Sequence, residues 1–149
     1  FNCNIIFCDI KRNLGDNYAR EVKINELKET SDIISLHTNL NQSSRHIIDK
    51  QFIDDCKKSF CLINTARGEC VNNHDLIYGL ESHKIIGAGL DVLENENKDF
   101  EGIVVDQNLD KLKKFENVIL TPHIAGWSKE SKVKLAQITV NKIKEFLDL

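Results

Sequence analysis

Hydrophobic positions fall along the chain in two rhythms. Short runs that are almost wholly apolar occur at "NIIFCD" (Asn4 to Asp9), "DIISLH" (Asp32 to His37), "FCLINT" (Phe60 to Thr65), "IIGAGLDV" (Ile85 to Val92) and "NVILT" (Asn117 to Thr121). Runs of this length, apolar at successive positions, predict strands buried on both faces. Between them lie stretches with helical spacing. Ile24 to Ser31 predicts a short polar helix and Asp49 to Cys56 a turn or two. "NNHDLIYGLESHK" predicts a helix with Asn72 as N-cap and Asp75 three residues on, a capping-box-like start. Lys129 to Leu149 sets Val133, Ala136, Val140, Ile143 and Leu147 at three- and four-residue steps, one amphipathic helix. The alternation predicts an α/β fold, a parallel sheet with helices on both faces. Asn95 to Lys114 interrupts it with a polar surface loop and a helical turn near its end. A loop so long is more often functional than idle, a tolerated insertion being the plain alternative.

Composition narrows this picture. With 41% hydrophobic and 29% charged residues in 149 positions, the chain suits one core and is short for two. The net charge of -3 offers no basic excess, so neither nucleic acid nor an anionic membrane surface is an expected partner. The apolar runs are strand-sized, too short to span a bilayer, and no basic-then-apolar leader pattern stands at the start. The five cysteines are odd in number and form no C-x-x-C. They are expected to be reduced thiols of a cytoplasmic protein, with Cys8 and Cys61 acting as small hydrophobes and no zinc site. The chain has no methionine, and the expectation is a piece of a longer polypeptide.

In open parallel sheets, ligands bind beyond the carboxyl ends of the strands. There the sequence collects Asp9, His37, Thr65-Ala66-Arg67-Gly68, Asp91 and Thr121-Pro122-His123. Asp9 suits the hydroxyls of an adenosine ribose or serves as a turn aspartate; Lys11 and Arg12 nearby would suit a 2′-phosphate, which leaves NAD against NADP open. "GAG" at Gly87 to Gly89 is a lone G-x-G inside a strand, read as small residues for close helix–sheet packing. Arg67 carries a planar donor fork for a carboxylate, or forms a structural ion pair, and Gly68 permits a sharp turn after it. His123 follows the chain's single proline, Pro122. An imidazole exchanges protons near neutrality, and a neighbouring carboxylate, Glu94 or Glu96, would orient it. Ala125 and Gly126 are small enough for the chain to pass close to a flat ring.

Three stretches in this order, "SDIISLHTNLNQSSRHIID", "NTARGECVNNHDLIYGLESHKIIGAGLDVLENE" and "NVILTPHIAGWS", resemble the D-isomer-specific 2-hydroxyacid dehydrogenases. "CDI" at Cys8 to Ile10 and the loop after it resemble the phosphoglycerate dehydrogenase branch. The resemblance implies a Rossmann-like doubly wound sheet. Residues 1–149 would be the C-terminal portion of the NAD-binding domain, with the first strand, its glycine-rich turn, the first helix and most of the substrate domain lying outside. It implies NAD as cofactor and a hydride transfer at the α-carbon of a D-2-hydroxy or 2-oxo acid, 3-phosphoglycerate included. The family's catalytic set falls on Arg67, Glu96 and His123. Its cofactor contacts fall on Asp9, Thr65, Ala66, Arg67, Asp91, His123, Ala125 and Gly126. A homodimer is the expected assembly of the full-length protein. The alternative is a non-catalytic NAD-sensing or partner-binding module of the same fold. Asn39 and Asn97 stand where many relatives carry proline.

Overall fold

A computed structural model describes residues 3–94 and 107–148. Six strands and five helices follow in order: β1 Ile5–Phe7, β2 Ala19–Glu21, α1 Ile24–Thr30, β3 Ile33–Leu36, α2 Lys50–Asp55, β4 Phe60–Asn64, α3 Asn73–Glu81, β5 Ile85–Leu90, α4 Gln107–Leu112, β6 Val118–Leu120 and α5 Lys129–Phe146. A single 3-10 turn, Gly68–Cys70, joins β4 to α3. All strand pairs are parallel, so each connection must cross over, and helices make most of these crossings. The α/β expectation holds, and the helical turn foreseen late in the polar loop is α4.

The four-stranded sheet runs β3-β4-β5-β6, and α2, α3 and α4 cover one face. Ile34, Leu36, Leu62, Ala88 and Leu90 point into that layer and meet Phe52, Ile53, Leu76, Leu80, Leu109 and Leu112. Helix α3 approaches closest at Gly79, where an added Cβ would lie 2.7 Å from Ile85 Cδ1. Close helix–sheet packing is therefore made by a helical glycine. The strand glycines play no such part: a Cβ on Gly89 would meet nothing within 4 Å.

Several expectations need correction. The sheet is covered on one face only among the described residues: Ser35, Ile63, Gly89 and Ile119 pair in one row on the other, with Ile63 37% and Ile119 69% exposed. Strands β1 and β2 form a separate two-stranded sheet, and β2 had no forecast because "ARE" carries no apolar pattern. The apolar stripe of α5 is exposed along its length, so its periodicity marks a face without a covering layer here. Cys8 is exposed and Cys61 half-buried; the buried thiols are Cys56 and Cys70, and burial pushes both up toward the inert neutral form. Asn72 caps α3 through the amides of His74 and Asp75, but Asp75 bonds the Lys50 amide instead of returning to the cap. No helix among the described residues is long and apolar enough to cross a membrane.

Gly68 has a different use from the one expected. Its backbone lies against the chain leaving β5, and a Cβ there would fall 1.9 Å from the Leu93 carbonyl oxygen. Backbone cannot step aside as a flexible side chain can. Gly68→Ala should therefore destabilise the protein by about 3 kcal/mol or more, at or beyond the upper end for overpacking. Gly89→Ala, made into open space, is the control. Urea denaturation of both variants checks this, and equal stability for the two would show that the contact is not as tight as described.

Candidate active site

The site grows from three neighbouring strand ends. At the end of β4 the side chain of Asn64 is fully buried. Its Nδ2 donates to the Arg67 carbonyl at 2.9 Å, and its Oδ1 accepts the Ala66 amide at 3.1 Å. One side chain thus satisfies two backbone groups of the turn that carries Arg67. The Arg67 backbone is extended, and its Nη1 donates to the Ala66 carbonyl at 2.6 Å. Arg67 as a whole is exposed. Sequence reasoning passed over Asn64, although an amide side chain ending a buried strand, directly before a turn, was the available signal.

Asp91, next to the end of β5, is 4% exposed. Its Oδ1 accepts the Thr121 hydroxyl at 2.5 Å and the Ile124 amide at 2.9 Å; its Oδ2 accepts the Ala125 amide at 2.9 Å. Its own carbonyl accepts the His123 amide at 2.9 Å. From Thr121 to Ala125, every residue except Pro122 is bonded to Asp91. Inside that turn His123 has φ 54°, in the left-handed region that a side chain beyond glycine adopts at a cost. Burial pushes the Asp91 carboxyl up, but the bonds from Thr121, Ala125 and Ile124 and the nearby His123 outweigh it and hold it below the ordinary aspartate range.

A groove of about 280 Å³ lies between these turns. Ile63, Gly89 and Ile119 make its apolar bed, with Thr65, Asp91, Thr121, Ile124 and Ala125 along its edge. Of the residues assigned to the cofactor from the sequence, Thr65, Asp91 and Ala125 line this groove, His123 and Gly126 follow in the turn after β6 outside its lining, and Ala66 is buried. Asp9 stands apart, beyond β1, exposed and bonded to the Lys11 amide at 2.8 Å. Arg12, a candidate for a 2′-phosphate, lies 3.6 Å from Glu21. His37 contacts the Ser35 hydroxyl at 2.9 Å. Glu94, one of the two carboxylates considered for His123, bonds His46 instead. Glu96 lies outside the described residues. Among the described residues no group of three or more His, Cys, Asp or Glu side chains lies where it could hold a metal ion.

Residues 1–125 match the family model for the D-isomer specific 2-hydroxyacid dehydrogenase, NAD binding domain. The chain belongs to this family. It is 36% identical over 134 residues to an aromatic 2-oxoacid reductase of Clostridium sporogenes, covering 87% of this chain and 40% of that protein. It is 34% identical over 151 residues to a D-specific alpha-keto acid dehydrogenase of Enterococcus faecium, covering 98% and 46%. The solved structure of Lactobacillus jensenii D-lactate dehydrogenase with NAD+ matches at a TM-score of 0.82 and 34% identity, over 93% of this chain and 43% of that one. The chain spans less than half the length of these relatives. None of the three is named as a phosphoglycerate dehydrogenase, and that branch gains no support from them.

The residues present fit one end of the dinucleotide that this family binds. A nicotinamide ring needs a flat bed with space above it, and at both Gly89 and Gly126 an added Cβ would meet nothing within 4 Å. No G-x-G-x-x-G stands in the sequence to cradle the pyrophosphate.

A carboxyl held below its ordinary value in the folded state adds stability that is complete above the unfolded value and is lost as pH falls through the folded one. The stability lost in Asp91→Asn should thus be full above about pH 4 and shrink steadily below it. Denaturant titrations of both proteins across the acid range test this. A difference independent of pH would mean that the charge on Asp91 does not hold the turn.

Proposed function

We propose that this chain is the C-terminal portion of the NAD-binding domain of an NAD-dependent D-2-hydroxyacid dehydrogenase, an oxidoreductase acting on CH–OH. Bound nicotinamide would supply or accept the hydride at the α-carbon. Arg67 clamps the substrate carboxylate and thereby orients the carbonyl. His123 gives its proton to the substrate oxygen during reduction and takes it back during oxidation. Glu96 stabilises the imidazolium. Asp9 bonds the adenosine ribose, and its charge disfavours a 2′-phosphate. Thr65, Ala66, Asp91, Ala125 and Gly126 line the nicotinamide side.

The observation that supports this reading most is the pairing of two braced turns over one apolar groove. Arg67 rides on a turn fixed by Asn64, and His123 on a turn fixed by Asp91. The domain assignment draws on the split sheet. In the doubly wound order the first strand lies between the second and the fourth. Here β1 belongs to one sheet and β3 is the edge of the other, so one added strand between them would join the two. The relatives' names point to unphosphorylated 2-oxo acids, from lactate's partner to aromatic ones, as the substrates to try before 3-phosphoglycerate. The cysteine usage suggests a cytoplasmic protein, and the resemblance a homodimer of the full-length chain.

In the full-length protein, His123→Ala should lower turnover of a 2-oxo acid by roughly 10²–10⁴-fold, the usual worth of a positioned proton donor, while NADH still binds. Steady-state NADH oxidation with a panel of 2-oxo acids and calorimetric NADH titration measure both quantities. Near-normal turnover by the variant would reject His123 as the donor. NADH binding without turnover of any acid by the wild type would favour the non-catalytic module.

A further inference from the structure

We propose that Glu94 and His46 form a clasp that positions the Arg67 turn against the chain leaving β5, and that Glu94 takes no proton in the reaction. The proposal rests on the dehydrogenase reading given above. Glu94 Oε1 lies 2.5 Å from His46 Nε2, and Glu94 Oε2 accepts the Asn73 amide at 3.1 Å. Asn73 is the first residue of α3, so the carboxylate meets an amide that has no partner within its helix, at the positive end of the helix dipole. The glutamate side chain is 21% exposed and the histidine 36%.

His46 is not a loose surface partner. It sits at φ 51°, a left-handed backbone held where its N–H donates a hydrogen bond to the Glu69 carbonyl at 2.8 Å. Two residues on, Ile48 donates to the Cys70 carbonyl at 3.1 Å and accepts from the Asn72 amide at 3.0 Å. The segment after β3 is thus sewn to the segment that carries Arg67 and Gly68 into α3. Glu94 adds the third strand end. Its backbone already abuts Gly68, and its side chain reaches across to both His46 and α3.

Asn64 therefore braces the Arg67 turn from the side of β4, and the clasp braces it from the far side. The same carboxylate fixes the chain that leaves β5. A residue tied down at this point limits where the Arg67 turn can stand relative to the end of β5. Misplacement of reacting groups by ~1 Å is enough to cost about 10²-fold in rate.

In the full-length protein, Glu94→Ala should lower kcat/KM for a 2-oxo acid by about 10- to 100-fold while NADH affinity stays near wild type. Glu94→Gln keeps an acceptor for the Asn73 amide and should recover part of the loss. The double variant with His46→Ala should be no worse than the poorer single variant, since both remove one interaction. A role in folding alone would lower the melting temperature and leave kcat/KM of the folded protein unchanged, and that result overturns the proposal. Additive losses overturn it too. Should the wild type reduce no 2-oxo acid, the dehydrogenase reading fails instead. Hydrogen exchange at the Asn73 amide then decides the clasp: faster exchange in Glu94→Ala supports it, and unchanged exchange refutes it.

Discussion

The carboxylate of Asp91 sits at the end of β5 and takes hydrogen bonds from the Thr121 hydroxyl and the amides of Ile124 and Ala125. Burying a charge is costly unless it is well bonded, and this one gathers three donors from a single turn. The donors come with a constraint. To present them all to one side chain, the chain after β6 must bend sharply, and His123 is carried into a left-handed conformation. Pro122 helps by limiting Thr121 before it to an extended backbone. The backbone pose of His123 thus follows from the bonds that its turn makes to Asp91. Nothing else among the described residues bonds so many groups of that turn.

The same logic runs through the next strand. The amide of Asp91 donates to the carbonyl of Asn64, so the two buried polar residues that organise the turns are themselves adjacent in the sheet. Asn64 serves the Arg67 turn as Asp91 serves the His123 turn. Gly68 then brings the Arg67 turn against Leu93 and Glu94 without space for a methyl group. Three strand ends are locked by two side chains and one close backbone contact. The groove between them is apolar at its base because Ile63, Gly89 and Ile119 face the side of the sheet that no described helix covers.

Much of this was legible in the sequence, and the exceptions have physical reasons. The strands at Ile33, Phe60 and Ile85 and the helix capped by Asn72 announced themselves, because burial on a parallel sheet writes long apolar runs. The three-residue β2 did not, since "ARE" is held by backbone pairing alone. Two-sided cover was expected because the exposed isoleucines look like core residues in a list of letters. Only the fold shows which face lacks a partner. For the site, Arg67, Asp91 and His123 could be chosen from their places at strand ends. Their supports could not. Asn64 reads as one more polar residue, and the Glu94–His46 contact joins residues far apart in sequence, which no local pattern reveals.

The account depends on Asp91 gripping the turn after β6. Hydrogen exchange at the Ile124 and Ala125 amides in the full-length protein tests that grip directly. Both amides lie outside regular structure, yet both bond a buried carboxylate. They should exchange as slowly as the amides of β5 and become fast in Asp91→Ala, in line with the link between opening free energy and protection. Exchange at the rate of an open loop in the wild type would contradict the account, because the Asp91 carboxylate would then not be holding the turn that carries His123.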